Sequence, residues 1–528
     1  MTAPPQQSAN VVATTLDQPP RASDDRSFFG HPGGLATLFT TEMWERFSFY
    51  GLRPLLVLFM TAALAEGGFG FDRNEASAIV GIYASSVYLA SLPGGWIADR
   101  LLGLRRAIFW GAVLISIGHI CIGLSAFAHS RVPFFMGLVL IVLGTGLLKP
   151  NISAIVGDLY PEGGARRDAG FSIFYMGINV GAFFGQLVTG ILGENVGWHW
   201  GFGAAGVGML LGLITFALRS GKTLGTLGLE PSRHPDPLVD ARQKRRGAIG
   251  TIVALAVLVV VMALAGTGMI SLNAQAIGRS MTYVLVAIAV VYFAGLLVLG
   301  GLTGNEKKRI GVIFILFVFA AIFWAAFEQA PTSLNLFARD FTHRSIGSFE
   351  VPATWFQSIN SLFIIIFAPI FAWVWTSLAR RGVDLSSPSK FTLGLVLTGI
   401  GFALMIPAAN MILASGATAK VSAWWLTVSY LFQTFGELSI SPVGLSTMTK
   451  LSPRKYVGQM MGIWFLATSV GNLIAGLVGG HVDPEKLEQM PQLFSGTAFA
   501  LIGAAVVLAL LIIPIRRMMA GTAVADQP

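Results

Sequence analysis

Fourteen apolar runs, each long enough to cross a bilayer, dominate this 528-residue chain. A bilayer core takes about 20 apolar residues per helix. Reading between polar breaks gives spans at 34–62, 75–99, 106–128, 132–156, 168–193, 200–219, 247–270, 280–302, 310–338, 353–379, 391–414, 421–449, 456–480 and 494–515. Helices are expected throughout, because inside hydrocarbon each backbone polar group must be satisfied within its own segment. Only 12% of residues are charged, about half the share usual in soluble domains. These features exclude a soluble enzyme, a nucleic-acid binder and a disordered scaffold. The chain reads as an all-α polytopic membrane protein with no enzymatic activity.

The basic residues orient the map. With both termini cytoplasmic, the inside loops and tails carry 25 Lys and Arg, and the outside loops carry 7. Shifting the map by one helix inverts that ratio, so the positive-inside rule selects this orientation. The net charge of +9 therefore describes topology rather than an anionic partner. Residues 1–33 are polar and Pro-rich at the start, lack an Ala-x-Ala-like cleavage site, and read as a disordered cytoplasmic N-terminus. The polar stretch 220–246 reads as a cytoplasmic linker. It separates a six-helix bundle over 34–219 from an inserted transmembrane hairpin over 247–302. A second six-helix bundle over 303–517 follows, with a cytoplasmic tail over 518–528.

Three cations fall inside predicted spans: Arg46, Arg53 and Lys149. Four carboxylates accompany them: Glu42, Glu45, Glu328 and Glu437. An ionisable group at bilayer depth costs several kcal/mol, so it normally faces a cavity or a partner. At 100° per residue, Glu42, Glu45, Arg46, Tyr50 and Arg53 share one face of the first helix, which must point into the bundle. Lys149 precedes Pro150, where a kink frees backbone groups. Glu437 lies in Gly436–Glu437–Leu438–Ser439–Ile440–Ser441–Pro442, in the bundle opposite Lys149. A buried carboxylate that loses its cation tends to take a proton. Exchange of a proton and a cation at one Glu is therefore an elementary step of proton coupling.

Gly177, Gly181 and Gly185 recur every four residues, the spacing that lets membrane helices approach closely. Gly201–Phe202–Gly203–Ala204–Ala205–Gly206 matches G-x-G-x-x-G only formally, because no strand precedes it. The seven His residues show no paired metal spacing, and Cys121 is the sole cysteine. No cofactor is expected.

Two motifs carry a resemblance. Gly94–Gly95–Trp96–Ile97–Ala98–Asp99–Arg100 through Arg105–Arg106 resembles the loop between helices two and three of the major facilitator superfamily. Glu42–Met43–Trp44–Glu45–Arg46–Phe47–Ser48–Phe49–Tyr50 resembles the E-x-x-E-R-F-x-Y-Y signature of proton-coupled oligopeptide transporters. Gly144 to Asn151, Phe174 to Asn179, Phe323 to Gln329 and Gly436 to Ser446 match that family in order. The resemblance implies the major facilitator fold and proton-driven import of di- and tripeptides by alternating access. It implies that Glu42, Glu45 and Arg46 form a proton-linked cluster, with Glu328 coupling protonation to an outer gate at Arg53. It further implies that Arg53 and Lys149 favour the peptide carboxylate, while Glu437, Asn179 and Asn360 hold the α-amino group. Tyr50, Tyr83 and Ser441 would contact the peptide, and Trp324 and Trp464 would line side-chain pockets. Phe49 stands where the family has a tyrosine, and Ser361 where a proline is expected.

A multi-pass protein of the bacterial inner membrane is expected, working as a monomer, with peptides, protons and lipid as its partners. The competing readings are a proton antiporter exporting drugs or another small zwitterionic solute, and a non-transporting sensor. An exporter need not carry charges matched to a zwitterion, and a sensor needs no membrane acids on both bundles.

Overall fold

The computed structural model describes residues 25–128, 130–161, 163–232, 236–383 and 385–520. The parts of the expected tails before residue 25 and after residue 520 lie outside the described residues. So do Arg21 and Arg233, which belong to the inside basic count.

Six helices form the N-terminal bundle: α1 (Gly33–Thr61), α2 (Arg73–Ile97), α3 (Leu104–Ala128), α4 (Arg131–Asp158), α5 (Gly164–Asn195) and α6 (Trp198–Thr223). A hairpin of α7 (Pro237–Gly266) and α8 (Ala274–Leu299) follows. The C-terminal bundle contains α9 (Gly304–Phe327), a short α10 (Asn335–Phe341), α11 (Trp355–Arg380) and α12 (Ser387–Ala403). It continues with α13 (Met405–Ala414), α14 (Trp424–Leu451), α15 (Val457–Gly479) and α16 (Gln489–Ala520). Twelve helical stretches among the described residues are long and apolar enough to cross a membrane. At 29 and 28 residues, α1 and α14 are also long enough, but they interrupt their apolar runs with the charged and polar residues that make up the site.

Three of the differences from the sequence reading have a local reason. Helix α7 begins ten residues early, at Pro237. Asp236 caps it by accepting from Leu238 N at 2.9 Å and Val239 N at 3.4 Å, and proline suits a first helical position. The span expected over 310–338 is broken. Residues Ala330–Leu334 form a wide turn between α9 and α10, where Pro331 lacks the N–H that would continue the ladder. Residues 25–32, expected to be disordered, form a turn: Phe28 and His31 exchange backbone hydrogen bonds of 3.0 and 2.8 Å, and Asp25 Oδ2 accepts from Gly33 N at 2.7 Å.

Small residues set the helix crossings. A Cβ at Gly181 would lie 2.1 Å from the carbonyl oxygen of Met43, and one at Gly185 2.4 Å from that of Phe47. The glycine face of α5 thus lets α1 approach to backbone contact, and so fixes where the charged face of α1 points. The same device joins the halves. A Cβ at Gly81 on α2 would lie 2.8 Å from Gly476 Cα on α15.

Candidate functional site

The charged face of α1 is buried in the N-terminal bundle. Glu42, Glu45 and Arg46 are at most 2% exposed, and Arg46 pairs with both glutamates. Arg46 Nη2 donates to Glu45 Oε1 at 2.6 Å, and its Nε lies beside Glu45 Oε2 and 3.3 Å from Glu42 Oε1. Glu42 Oε2 has no hydrogen-bond partner. The Arg46 guanidinium also sits 4.8 Å from the Phe49 ring centroid. Phe49 in turn stacks on Tyr83 with centroids 6.2 Å apart.

Two helical turns along, Arg53 leaves its own bundle. Its Nη2 donates to Glu328 Oε2 at the end of α9 and to Asn472 Oδ1 on α15 at 3.0 Å. The break at Pro331 ends α9 at Phe327 and leaves Glu328 as its C-cap residue. Nearby, Asn335 Nδ2 donates to Pro54 O at 2.8 Å.

The remaining intramembrane charges are arranged differently. Lys149 is partly exposed on α4 and has no ion partner among the described residues. Its Nζ lies 4.4 Å from the Tyr88 ring centroid, a geometry in which the ring face attracts a cation. Tyr88 stacks on Phe465 of α15 at 6.2 Å, so the lysine sits at the seam between the bundles. Glu437 on α14 is also partly exposed and also lacks an ion partner among the described residues. Its Oε2 accepts from Asn360 Nδ2 at 3.1 Å, and Asn360 donates to Thr434 Oγ1 at 3.0 Å as well. Opposite halves thus each present one uncompensated charge.

The other sequence-selected residues fall into two groups. Tyr50 is partly exposed beside Phe49. Ser441 is also partly exposed, but its Oγ is itself buried and lacks a partner. Tyr83, Trp324, Asn179 and Trp464 are buried. Among the described residues the Tyr83 hydroxyl and Trp324 Nε1 have no hydrogen-bond partner, and Asn179 Nδ2 bonds back to Tyr175 O at 3.1 Å. The Trp464 ring packs over Gly444, where a Cβ would lie 2.1 Å from it.

Sequence reasoning passed over Tyr88 and Asn472. Asn472 carried a usable signal, a lone amide in an apolar run. Tyr88 carried none, since aromatic rings are common on lipid-facing and packed surfaces alike.

On the face opposite the termini the halves are closed. Arg73 Nη1 at the start of α2 donates to Asp340 Oδ2 at 2.6 Å and to Val482 O at 2.9 Å. Arg339 Nη1 donates to Thr61 Oγ1 at 2.9 Å. Glu194, at the end of α5, accepts from Ala353 N at 2.7 Å and Thr354 N at 3.0 Å.

The model of the POT family, PTR2, matches residues 105–232 and 302–492. The chain belongs to the POT family. The peptide transporter YePEPT of Yersinia enterocolitica is 50% identical to this POT protein over 502 residues, spanning 94% of the chain and 97% of the relative. A di-/tripeptide transporter of Lactococcus lactis is 38% identical over 462 residues, 85% of the chain and 89% of the relative. The fold matches a crystal structure of the peptide transporter POT in complex with sulfate, with a TM-score of 0.84 and 39% identity over 94% of this chain and 98% of that one. It matches a POT family transporter in complex with 5-aminolevulinic acid equally well, at 0.84 and 34% identity over 93% and 98%. The major facilitator architecture expected from the sequence is therefore that of this POT protein, two helical bundles with an added hairpin, and its family is one of transporters rather than enzymes.

Proposed function

We propose that the chain imports di- and tripeptides into a bacterial cell by proton symport, with both termini cytoplasmic. One observation carries the reading: Arg46 and Arg53 are paired within the protein, while Lys149 and Glu437 remain free to meet opposite charges on a ligand. A short peptide is a zwitterion. Lys149 would take its carboxylate and Glu437, with Asn360, its α-amino group, through charge-assisted hydrogen bonds. Peptide names recur among the relatives, in line with that chemistry. Occupation of both charges draws the bundles together on the cytoplasmic side. Protonation of Glu328 frees Arg53 and loosens the closed external side. Glu42, Glu45 and Arg46 form a second store of exchangeable charge beside Lys149. A single chain contains every part of this cycle, so a monomer suffices.

The test is uptake of labelled dialanine into proteoliposomes under an imposed inward proton gradient. Gradient-stimulated accumulation is expected; none across several di- and tripeptides overturns the reading.

A further inference from the structure

No residue of α7 is buried, its apolar stretch included. The helix touches protein chiefly at its foot, where Gly247 abuts the Trp96 ring. Lipid is therefore its main neighbour, and something other than side-chain packing must hold the foot in place.

The foot is basic. Arg242, Arg245 and Arg246 are spaced i, i+3, i+4, so they share one helix face, and all three are exposed. None has an ion partner among the described residues. Lys244, one residue away, is engaged by Asp240 at 2.7 Å, so the local acid is already used. The three arginines lie in the second and third turns of α7, just past its capped start. Asp236 caps the backbone there but leaves the arginines uncompensated. Immediately beyond them the sequence turns apolar, at Ala248 and Ile249, which sets the arginine face at headgroup depth. Trp96, 41% exposed, stands beside it, and an indole ring favours that interfacial level.

We infer that Arg242, Arg245 and Arg246, with Trp96 at their side, form a docking face for the phosphate headgroup of an anionic glycerophospholipid in the leaflet on the side of the termini. The planar guanidinium matches phosphate oxygens in a bidentate fork, and each juxtamembrane Lys or Arg near the surface adds attraction to anionic lipid. The bound headgroup supplies the negative charge that the foot of α7 lacks and ties the hairpin to the bilayer beside α2.

The full-length transporter, reconstituted in vesicles, tests this by fluorescence quenching. Phosphatidylglycerol brominated near the glycerol end of its acyl chains is compared with phosphatidylcholine brominated at the same positions. The Trp96 contribution is isolated as the difference from a Trp96→Phe variant. The brominated anionic lipid is expected to quench Trp96 several-fold more effectively at equal mole fraction. The triple variant Arg242→Gln/Arg245→Gln/Arg246→Gln should lose that preference. The triple Arg→Lys variant, which keeps the charge that sets topology but loses the planar fork, should retain only part of it. Equal quenching by the two lipids in the native protein overturns the inference, as does a preference that survives the Gln substitutions. Relief of the preference by millimolar inorganic phosphate would assign the face to a soluble anion and also overturn it. Because the readout is lipid contact, it is independent of peptide transport.

Discussion

Arg53 of α1 and Glu328 at the end of α9 form a buried ion pair that joins the two bundles. The guanidinium of α1 donates to the carboxylate that caps α9, and Asn472 of α15 holds the same nitrogen at 3.0 Å. Both residues are at most 8% exposed. Removing one partner of such a pair leaves an uncompensated buried charge, at a cost of about 3–5 kcal/mol. Glu328→Gln mimics permanent protonation, so the closed external side should weaken. Accumulation of dialanine driven by a proton gradient should fall at least tenfold, while peptide exchange without a gradient persists. Loss of both activities in a folded variant would show that the pair holds the structure rather than the coupling.

Of the seven charges expected inside the membrane, Lys149 and Glu437 have no ion partner among the described residues. A hydrogen bond to a charged group is worth about 1.5–3 kcal/mol, so Lys149→Ala or Glu437→Gln should weaken dialanine binding roughly ten- to a hundredfold. Calorimetry with modified peptides separates the roles. Acetylating the amino group should cost affinity in the native protein and little more in Glu437→Gln. Amidating the carboxyl group should behave likewise with Lys149→Ala. Equal penalties in the native protein and both variants would remove the two residues from the ends of the ligand.

How far the site was legible from sequence follows from these residues. Charges in apolar runs are costly enough to stand out, so Arg46, Arg53, Lys149 and the four glutamates could be singled out at once. Pairing between distant segments, Arg53 with Glu328 across 275 positions, leaves no local trace. On α2, Tyr83 and Tyr88 are five residues apart, and both lie among small residues. Only the packing distinguishes them, burying Tyr83 against Phe49 and placing Tyr88 under Lys149. The fold was legible through span lengths, whereas the expected span 310–338 ran straight through the break that Pro331 makes after Glu328 and that Asn335 ties to α1.

Phe49 stacks on Tyr83, whose buried hydroxyl has no partner. Phe49→Tyr introduces a second hydroxyl beside the Arg46 guanidinium. A gain or loss of one neutral hydrogen bond is worth about 0.5–1.5 kcal/mol. Peptide affinity should therefore shift roughly two- to tenfold, with gradient-driven accumulation retained. Unchanged affinity for every peptide tested would place the ring outside the ligand's reach.

His31 carries a pH dependence outside the membrane. Its Nδ1 lies 2.9 Å from the Tyr160 hydroxyl, and Arg166 anchors the same turn through Asp25 O at 2.5 Å. Burial, and then the Arg166 charge, lower the imidazole below its ordinary value, about 6.5 in the unfolded chain. A lowered value means the folded turn favours neutral imidazole. Its contribution is thus complete above pH ~6.5 and is lost as the pH falls below that value. Hydrogen exchange at the amides of Phe28 and His31, corrected for intrinsic rate, should accelerate between pH 7 and about pH 5. In His31→Phe the acceleration should vanish. A native turn whose protection is flat across that range would show that His31 does not control it.

Glu194 makes a further connection between the halves, on the face opposite the termini. Its two carboxylate oxygens accept the backbone N–H groups of Ala353 and Thr354, which precede the first turn of α11. Arg344 lies 3.8 Å away and shares the carboxylate. Exposed N–H groups at a helix start attract negative charge, so an acid of one bundle closes the backbone of the other. Glu194→Ala leaves both donors unmet and should cost about 3 kcal/mol of that closure, taking each bond at the lower end for charged partners. The readout is a cysteine introduced by Thr354→Cys, since the sole native thiol, Cys121, is buried in α3. In intact vesicles, labelling of this cysteine by a membrane-impermeant maleimide should rise more than tenfold when Glu194→Ala is added. Glu194→Gln, which keeps one acceptor oxygen but not the charge, should fall between the two. Equal labelling in all three backgrounds would mean that Arg73, Arg339 and the Gly81–Gly476 contact close this face without Glu194.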